Sequence, residues 1–284
     1  MAFLRARGLG KSFASPRGAR HVLHDVSLDV EHGEFVSIVG AMGSGKSTLL
    51  SILAGLTTAD AGELSVGGVP VTGVRQDAAY VFQNYSLLPW FRALENVRLA
   101  VDAACPTLSR DQQKTRAREV LEQVGLGTAL HRRPGQLSGG MRQRVAIARA
   151  FAASPQLLFM DEPFGALDAL TRATLQQDLA RLCSSTERRV TTVMITNSVE
   201  EAILLSDRIV PMLPGPPSTL GAPIPVLLAR PRSVAQLAHD EEAMQVRADV
   251  VATLTAALVG RRRLSPQTTN AAMPAVSVAA EETS

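Results

Sequence analysis

The nine residues Gly40-Ala41-Met42-Gly43-Ser44-Gly45-Lys46-Ser47-Thr48 constrain this chain more than any other stretch. They follow the apolar run Phe35-Val36-Ser37-Ile38-Val39 and precede Leu49-Leu50-Ser51-Ile52-Leu53-Ala54, so the order reads strand, glycine loop, helix. The spacing G-x-x-x-x-G-K-S is that of a phosphate-binding loop. Its physics lies in the backbone. Gly40, Gly43 and Gly45 can take positive φ, which turns successive N–H groups inward to form an anion-binding nest. A helix starting near Lys46 adds the positive end of its dipole. Lys46 then reaches the β- and γ-phosphates of a nucleotide, and the Ser47 hydroxyl ligates Mg²⁺. By chance the pattern arises in roughly 2% of chains this long. A glycine-rich turn would also satisfy it, but the flanking strand and helix supply the context that nucleotide binding needs.

Composition narrows the remaining classes. With 284 residues, 46% of them hydrophobic, there is room for one large domain or two small ones around an ample core. A net charge of +3 argues against a dedicated nucleic-acid binder. Cys105 and Cys183 stand far apart with no C-x-x-C, which indicates neither a disulfide framework nor a zinc site. No N-terminal stretch suits a secretory signal, and no apolar run reaches the length that crosses a membrane. The chain reads as soluble and cytoplasmic, with any membrane role supplied by partner chains.

Residues 3–38 read as strands. Phe13, one of few aromatics ahead of the loop, is either a core residue or a platform for an adenine ring. Glu63–Val66, Gly67-Gly68 and Val69–Val71 form a hairpin pattern. Ala78–Gln83 is a second apolar run. Gln83 stands at its end, where open α/β sheets place ligand groups, although a lone Gln is as readily a solvated loop residue. Leu87-Leu88-Pro89-Trp90-Phe91 is an apolar turn carrying the only Trp, either core or an exposed docking surface. Asp111 to Val124 is an amphipathic helix stopped by Gly125.

Leu137-Ser138-Gly139-Gly140-Met141-Arg142-Gln143 runs into another helix. Ser138 is a natural N-cap, and Gly139 and Gly140 let a phosphate approach the helix N-terminus. That makes a second anion site. Leu157–Met160 is a buried strand ending in Asp161 and Glu162. Asp161 is placed to hold Mg²⁺ through water, and Glu162 to orient and polarise an attacking water. Asp168 caps the helix that follows. Another buried strand, Arg189–Thr196, ends in Asn197 at the same sheet edge, and Asn197 either faces the γ-phosphate or caps the next helix. Pro214-Gly215-Pro216-Pro217 ends regular structure. Arg230 to Gly260 reads as a helical extension, Arg261-Arg262-Arg263 as its solvated end, and 265–284 as disordered by composition.

With these pieces in order, the chain resembles the ATPase subunit of ATP-binding cassette transporters over about residues 3–230. The Leu137–Gln143 signature, together with the loop, Gln83 and the Asp161-Glu162 strand, carries the resemblance. It implies an α/β P-loop fold of ABC type, with a mostly parallel central sheet, an antiparallel β region and a helical subdomain. The cassette is expected at 1–230 with its helical subdomain at about 84–155, and an extension and disordered tail at 231–284. The cofactors implied are ATP and Mg²⁺.

Residue by residue, the resemblance makes Phe13 the aromatic that stacks on adenine, and Gly40 to Thr48 the phosphate loop. Gln83 senses Mg²⁺ and γ-phosphate, Ser47 and Asp161 attend the metal, and Glu162 is the catalytic glutamate. Ser138, Gly139 and Gly140 close over ATP held by the opposite protomer, and Asp168 crosses that interface. The implied partners are a second ATPase subunit, identical or a paralogue, and permease subunits docked near Leu87–Trp90. A solute-binding protein follows indirectly; nucleic acid does not. The implied location is peripheral, on the cytoplasmic face of the cell membrane.

Leu87-Leu88-Pro89-Trp90 is similar to the nitrate, sulfonate and taurine importer branch. Thr196–Ala202 and Leu213–Gly221 look more like the nitrate, nitrite and cyanate ATPases. Most of the family has His where this chain has Asn197. The function implied is ATP hydrolysis driving import of a small oxyanion, foremost nitrate. The alternatives are a sulfonate or taurine importer ATPase, a soluble cassette outside transport, and a module that holds ATP without turnover.

Overall fold

The structure is a computed structural model that describes residues 2–16, 18–183, 189–215 and 217–264, the last five by backbone alone. The side chains of Arg261–Arg263, Pro216 and the tail 265–284 lie outside the described residues.

Two sheets meet over the helix α1 (Lys46–Leu53) that leaves the glycine loop. One is antiparallel: β1 (Leu4–Phe13), β2 (Arg20–Val30), β4 (Ala61–Val66) and β5 (Val69–Pro70), in the order β2-β1-β4-β5. The other holds β3 (Phe35–Val39), β6 (Ala78–Val81), β7 (Leu157–Asp161), β8 (Thr191–Thr196) and β9 (Arg208–Leu213), with β3 between β9 and β8. These five pair in parallel. Every residue of β3, β7 and β8 is buried, because helices or the second sheet cover both faces. That is why these strands read as unbroken apolar runs rather than alternating ones.

One face packs Ile38, Phe159, Val193 and Val210 against Leu49, Leu50 and Leu53 of α1 and against Leu4 and Val26 of the antiparallel sheet. The opposite face packs α4 (Gly139–Ala152), α5 (Ala169–Cys183), α6 (Val199–Leu205) and α8 (Glu241–Leu264) over Leu158, Met160 and Met194. A third apolar cluster joins α2 (Ala93–Ala104) and α3 (Arg110–Gln123) to α4 through Val97, Val101, Leu121, Val145 and Ala148.

Within that helical region the buried Asn96 fixes the Leu88–Phe91 turn. Its Oδ1 accepts from Leu88 N, and its Nδ2 donates to the Leu88 and Phe91 carbonyls. The turn is held from beneath by polar bonds, so Trp90 points outward and is 63% exposed. The core alternative for Trp90 is therefore excluded. Phe13 also lies outside the core, at 44% exposure, with Lys11 Nζ 5.5 Å from its ring centroid.

The C-terminal part is helical over most of the expected extension but differs in how it begins. Regular structure resumes after Pro214-Gly215, because the outer edge of β9 takes two short antiparallel strands, β10 (Thr219–Leu220) and β11 (Ile224–Pro225). Helix does not begin at Arg230. Arg232 instead folds back and donates to the carbonyls of Ile203, Ser206, Val226 and Leu228. Ser233 then caps the single turn α7 (Val234–Leu237), and α8 starts only at Glu241. Arg232 caps the C-terminal end of α6, where cations are favoured. Burial among carbonyls lowers its pKa to about 10, still well above neutrality, so the cap stays charged.

Candidate active site

The C-terminal ends of β3, β7 and β8 bring the loop, Asp161-Glu162 and Asn197 to one sheet edge. Gly43 and Gly45 take the expected positive φ, 76° and 89°. Gly40 does not. Its requirement is steric: a Cβ there would stand 2.9 Å from both Cβ and O of Met212 on β9. The nest is thus built by two glycines, and the first packs the loop onto the sheet. Met42 projects outward, 87% exposed, and Thr48 is half-buried in the first turn of α1.

Helix α1 begins differently from its neighbours. Helices α3, α4, α6 and α7 each start with a serine whose side chain accepts a first-turn N–H. Gly45 at the head of α1 supplies no such bond, and the first turn contains no acid. Those N–H donors therefore face outward with the helix dipole behind them, an arrangement that suits an anion. The buried Ser44 hydroxyl also lacks a partner.

Lys46 is 4% exposed. Its Nζ donates to Gly40 O at 2.9 Å, Ala41 O at 3.0 Å and Asn197 Oδ1 at 2.7 Å, and lies 3.7 Å from Glu162 Oε1. Burial lowers its pKa, while Glu162 and Asp161 oppose that fall. Asn197 uses both halves of its amide. Its Nδ2 donates to Glu162 Oε1 at 2.7 Å. Lys46 can only donate and Glu162 can only accept, so the charges on either side fix the amide's orientation. The capping alternative for Asn197 fails, because Ser198 Oγ accepts Glu201 N and is the N-cap of α6.

Glu162 sits at φ 44°, a left-handed conformation that costs a non-glycine residue about 1–2 kcal/mol. Its Oε2 is 3.4 Å from the Gln83 amide nitrogen. Gln83 lies two residues past β6 and is exposed. Ser47 Oγ donates to Asp161 Oδ1 at 3.1 Å, and Tyr80 OH reaches Oδ2 at 3.3 Å. Burial raises the Asp161 pKa, with Ser47 and Tyr80 opposing it, and burial then the Asp161 charge raise that of Tyr80. One hydroxyl and one carboxylate converging at the loop mouth fit a Mg²⁺ that keeps waters and takes oxygens from phosphate. No cluster of three or more His, Cys, Asp or Glu able to hold a metal by themselves occurs among the described residues.

The signature lies on the helical side. Ser138 Oγ accepts Met141 N at 3.2 Å, leaving its hydroxyl proton to donate elsewhere. A Cβ on Gly140 would fall 2.3 Å from Thr171 Cγ2, so this glycine seats α4 against the start of α5. Gly139 has more room, its nearest neighbour being Tyr85 OH at 3.6 Å. Asp168 is exposed, and its Oδ1 accepts Thr171 N at 3.0 Å as the cap of α5. That bond lowers its pKa.

Several residues that support the site escaped the sequence reading. Arg149 of α4 donates to Ser86 O at 2.6 Å and Tyr85 O at 3.0 Å, pinning the loop after Gln83 to the signature helix. Tyr80, bonded to Asp161, and Glu201, bonded to Thr196, carry little sign of these contacts in the sequence. Only alternation within a four-residue strand, and an acid inside an apolar helix, could have hinted at them.

The sequence profile of the family described as ABC transporter matches residues 23–165. The chain is 44% identical over 249 residues to the nitrate import ATP-binding protein NrtD of Synechococcus elongatus, covering 88% of this chain and 90% of that one. This chain belongs to the ABC transporter family. As an ABC ATPase it couples ATP hydrolysis to transport. It is also 42% identical over 246 residues to the bicarbonate transport ATP-binding protein CmpD of Synechocystis, covering 87% and 86% of the two chains. Among solved structures, the cassette superposes on a dimeric post-hydrolysis state of the ATP-binding cassette MJ0796 bound to ADP and Pi. There the TM-score is 0.71 at 30% identity, covering 80% of this chain and all of that one. The α/β P-loop architecture expected of an ABC cassette is therefore the one found. Among the described residues no helix is long and apolar enough to cross a membrane.

Proposed function

We propose that this cassette powers import of a small planar oxyanion, nitrate, as one half of a two-chain ATP sandwich at the cytoplasmic face of the membrane. The observation that carries the reading is the convergence of Lys46, Asn197, Glu162, Gln83, Asp161 and Ser47 around an uncapped helix N-terminus. The first-turn N–H groups and Lys46 bind the β- and γ-phosphates. Glu162 accepts the proton of the attacking water, with Gln83 and Asn197 holding its two oxygens in place. Ser47 and Asp161, with Gln83, would hold Mg²⁺, which neutralises phosphate charge when bound. Phe13 offers an exposed face to adenine. Ser138, Gly139 and Gly140 present N–H groups and a hydroxyl to the ATP of the opposite chain, with Asp168 crossing beside them. Sharing each γ-phosphate between two chains makes closure depend on ATP.

Nitrate is favoured by 44% identity to a nitrate import protein over nearly the whole of both chains. Bicarbonate, also a planar monoanion, is the second reading, on the likeness to CmpD. The cassette spans 1–230 with its helical subdomain at about 84–155, and exposed Trp90 marks the permease dock. The transporter reconstituted with its permease and solute-binding protein tests all of this. Nitrate-loaded binding protein should raise ATP turnover several-fold while bicarbonate and taurine do not, and Trp90→Ala should weaken co-purification of the permease. Stimulation by bicarbonate alone would reassign the solute. A chain that never co-purifies with a permease would overturn the transport reading.

Asn197 allows a sharper test. Asn197→Ala removes both the Lys46 acceptor and the Glu162 donor, so turnover should fall about tenfold to a hundredfold, as for a hydrogen bond to a charged group. Asn197→His should retain activity, since imidazole can donate to Glu162. The wild-type pH profile should lack a histidine-like limb near neutrality. Wild-type turnover by Asn197→Ala would remove the residue from the site.

A further inference from the structure

Beyond the reacting groups, the buried Glu201, Thr196 and Gln176 form with the part-exposed Arg172 and Ser198 a polar link that the mechanism above does not use. Glu201 of α6 is 6% exposed. Its two carboxylate oxygens serve different elements. Oε2 accepts from the Thr196 hydroxyl at the end of β8, at 2.6 Å. Oε1 accepts from Gln176 Nε2 of α5 at 3.3 Å and lies 3.8 Å from Arg172 Nε. The Thr196 hydroxyl in turn accepts Ser198 N at 3.0 Å, so its donor and acceptor bonds bracket Asn197. On the other side, Arg172 Nη2 donates to Leu167 O at 2.9 Å, one residue before Asp168.

We propose that Glu201 is a positioning residue that fixes the Thr196–Ser198 turn, and with it Asn197, while tying that turn through Arg172 to the Leu167-Asp168 loop. The inference rests on the proposed roles of Asn197 and Glu162. An ionised carboxylate buried to this extent is costly unless paired and fully hydrogen-bonded, and apolar packing would hold α5 against α6 at less expense. What apolar packing cannot do is orient the Thr196 hydroxyl. With Glu201 accepting its proton, the oxygen lone pair is turned toward Ser198 N, which sets the turn that aims the Asn197 amide between Lys46 and Glu162. In the two-chain sandwich Asp168 faces the opposite chain. The same link then transmits the position of that loop to the side chain that steadies Glu162.

The arms separate by substitution. Glu201→Gln keeps an acceptor for Thr196 but turns an N–H₂ toward Arg172, which can only donate, so it breaks the Arg172 link of the α5 arm even where the Gln176 amide turns its oxygen to accept. Thr196→Val removes the turn arm, whereas Thr196→Ser retains the hydroxyl. Steady-state ATPase rates of the assembled transporter, with direct ATP affinity and thermal unfolding of each variant, read the result. Glu201→Gln should lower kcat about tenfold at nearly unchanged ATP affinity, and in an Asn197→Ala background should change it less than about twofold, because both act through one group. Thr196→Val should match Glu201→Gln, and Thr196→Ser should match wild type, which keeps the test open if Glu201→Gln does not fold. Equal fold-losses in both backgrounds would show a structural acid and overturn the proposal, as would wild-type kcat in Glu201→Gln. If Asn197→Ala slows turnover while Glu201→Gln does not, this inference alone falls. If Asn197→Ala has no effect, the site reading falls with it.

Discussion

Glu162→Gln is expected to yield a chain that binds ATP and scarcely hydrolyses it. The carboxylate is the one proton acceptor held between Gln83 and Asn197 in the described site, and an amide cannot take a proton from water at neutral pH. Losing a positioned general base costs on the order of a hundred- to ten-thousand-fold in rate. Binding should survive, since the phosphates are met by Lys46 and the α1 N–H groups. The substitution also removes a negative charge 3.7 Å from Lys46, which leaves that cation freer for phosphate. With ATP the variant should therefore accumulate as a dimer on size-exclusion chromatography. A monomer that turns over normally would take the catalytic role away from Glu162.

Lys46→Ala should abolish most nucleotide binding instead. Two charge-assisted contacts of about 1.5–3 kcal/mol each predict a loss on the order of a hundredfold or more in affinity. Direct binding measurement distinguishes this from a catalytic defect. A thermal readout gives the same answer. Ligand at a hundred times its Kd stabilises a protein by about 2.7 kcal/mol, so ATP should raise the melting temperature of the wild type and not that of the variant. Unchanged affinity would place the phosphates elsewhere.

The chemistry of the site could be read from the chain because each reacting group sits at the end of an apolar run. Val39, Asp161 and Thr196 close buried strands, and the residue after each begins a loop at the same edge. Once these strands are taken as parallel, Lys46, Asp161, Glu162 and Asn197 must meet. What the sequence conceals is which side chains touch. Nothing local says that Asn197 caps no helix, since Ser198 is an equally good cap one residue on. Gly40 looks like Gly43 in a motif, and only the approach of Met212, 172 residues later, separates a packing glycine from a conformational one. The C-terminal region misled for a similar reason. Arg230 to Gly260 reads as a helical extension, but the carbonyls at the end of α6 hold Arg232, and helix begins only after Ser233.

The position of β3 also sets when its sheet can be completed during synthesis. The strand and its loop leave the ribosome early, yet β3 has no sequence-local partner in its sheet. Its neighbours are Thr191–Thr196 and Arg208–Leu213, and the seat of Gly40 is Met212. The antiparallel sheet and the α2–α3 region rest on contacts closer in sequence and can form while synthesis continues. The setting of the phosphate loop is complete only when more than two hundred residues have been made. A chain that ends before β9 therefore lacks one of the two strands that flank β3 and the residue that seats Gly40.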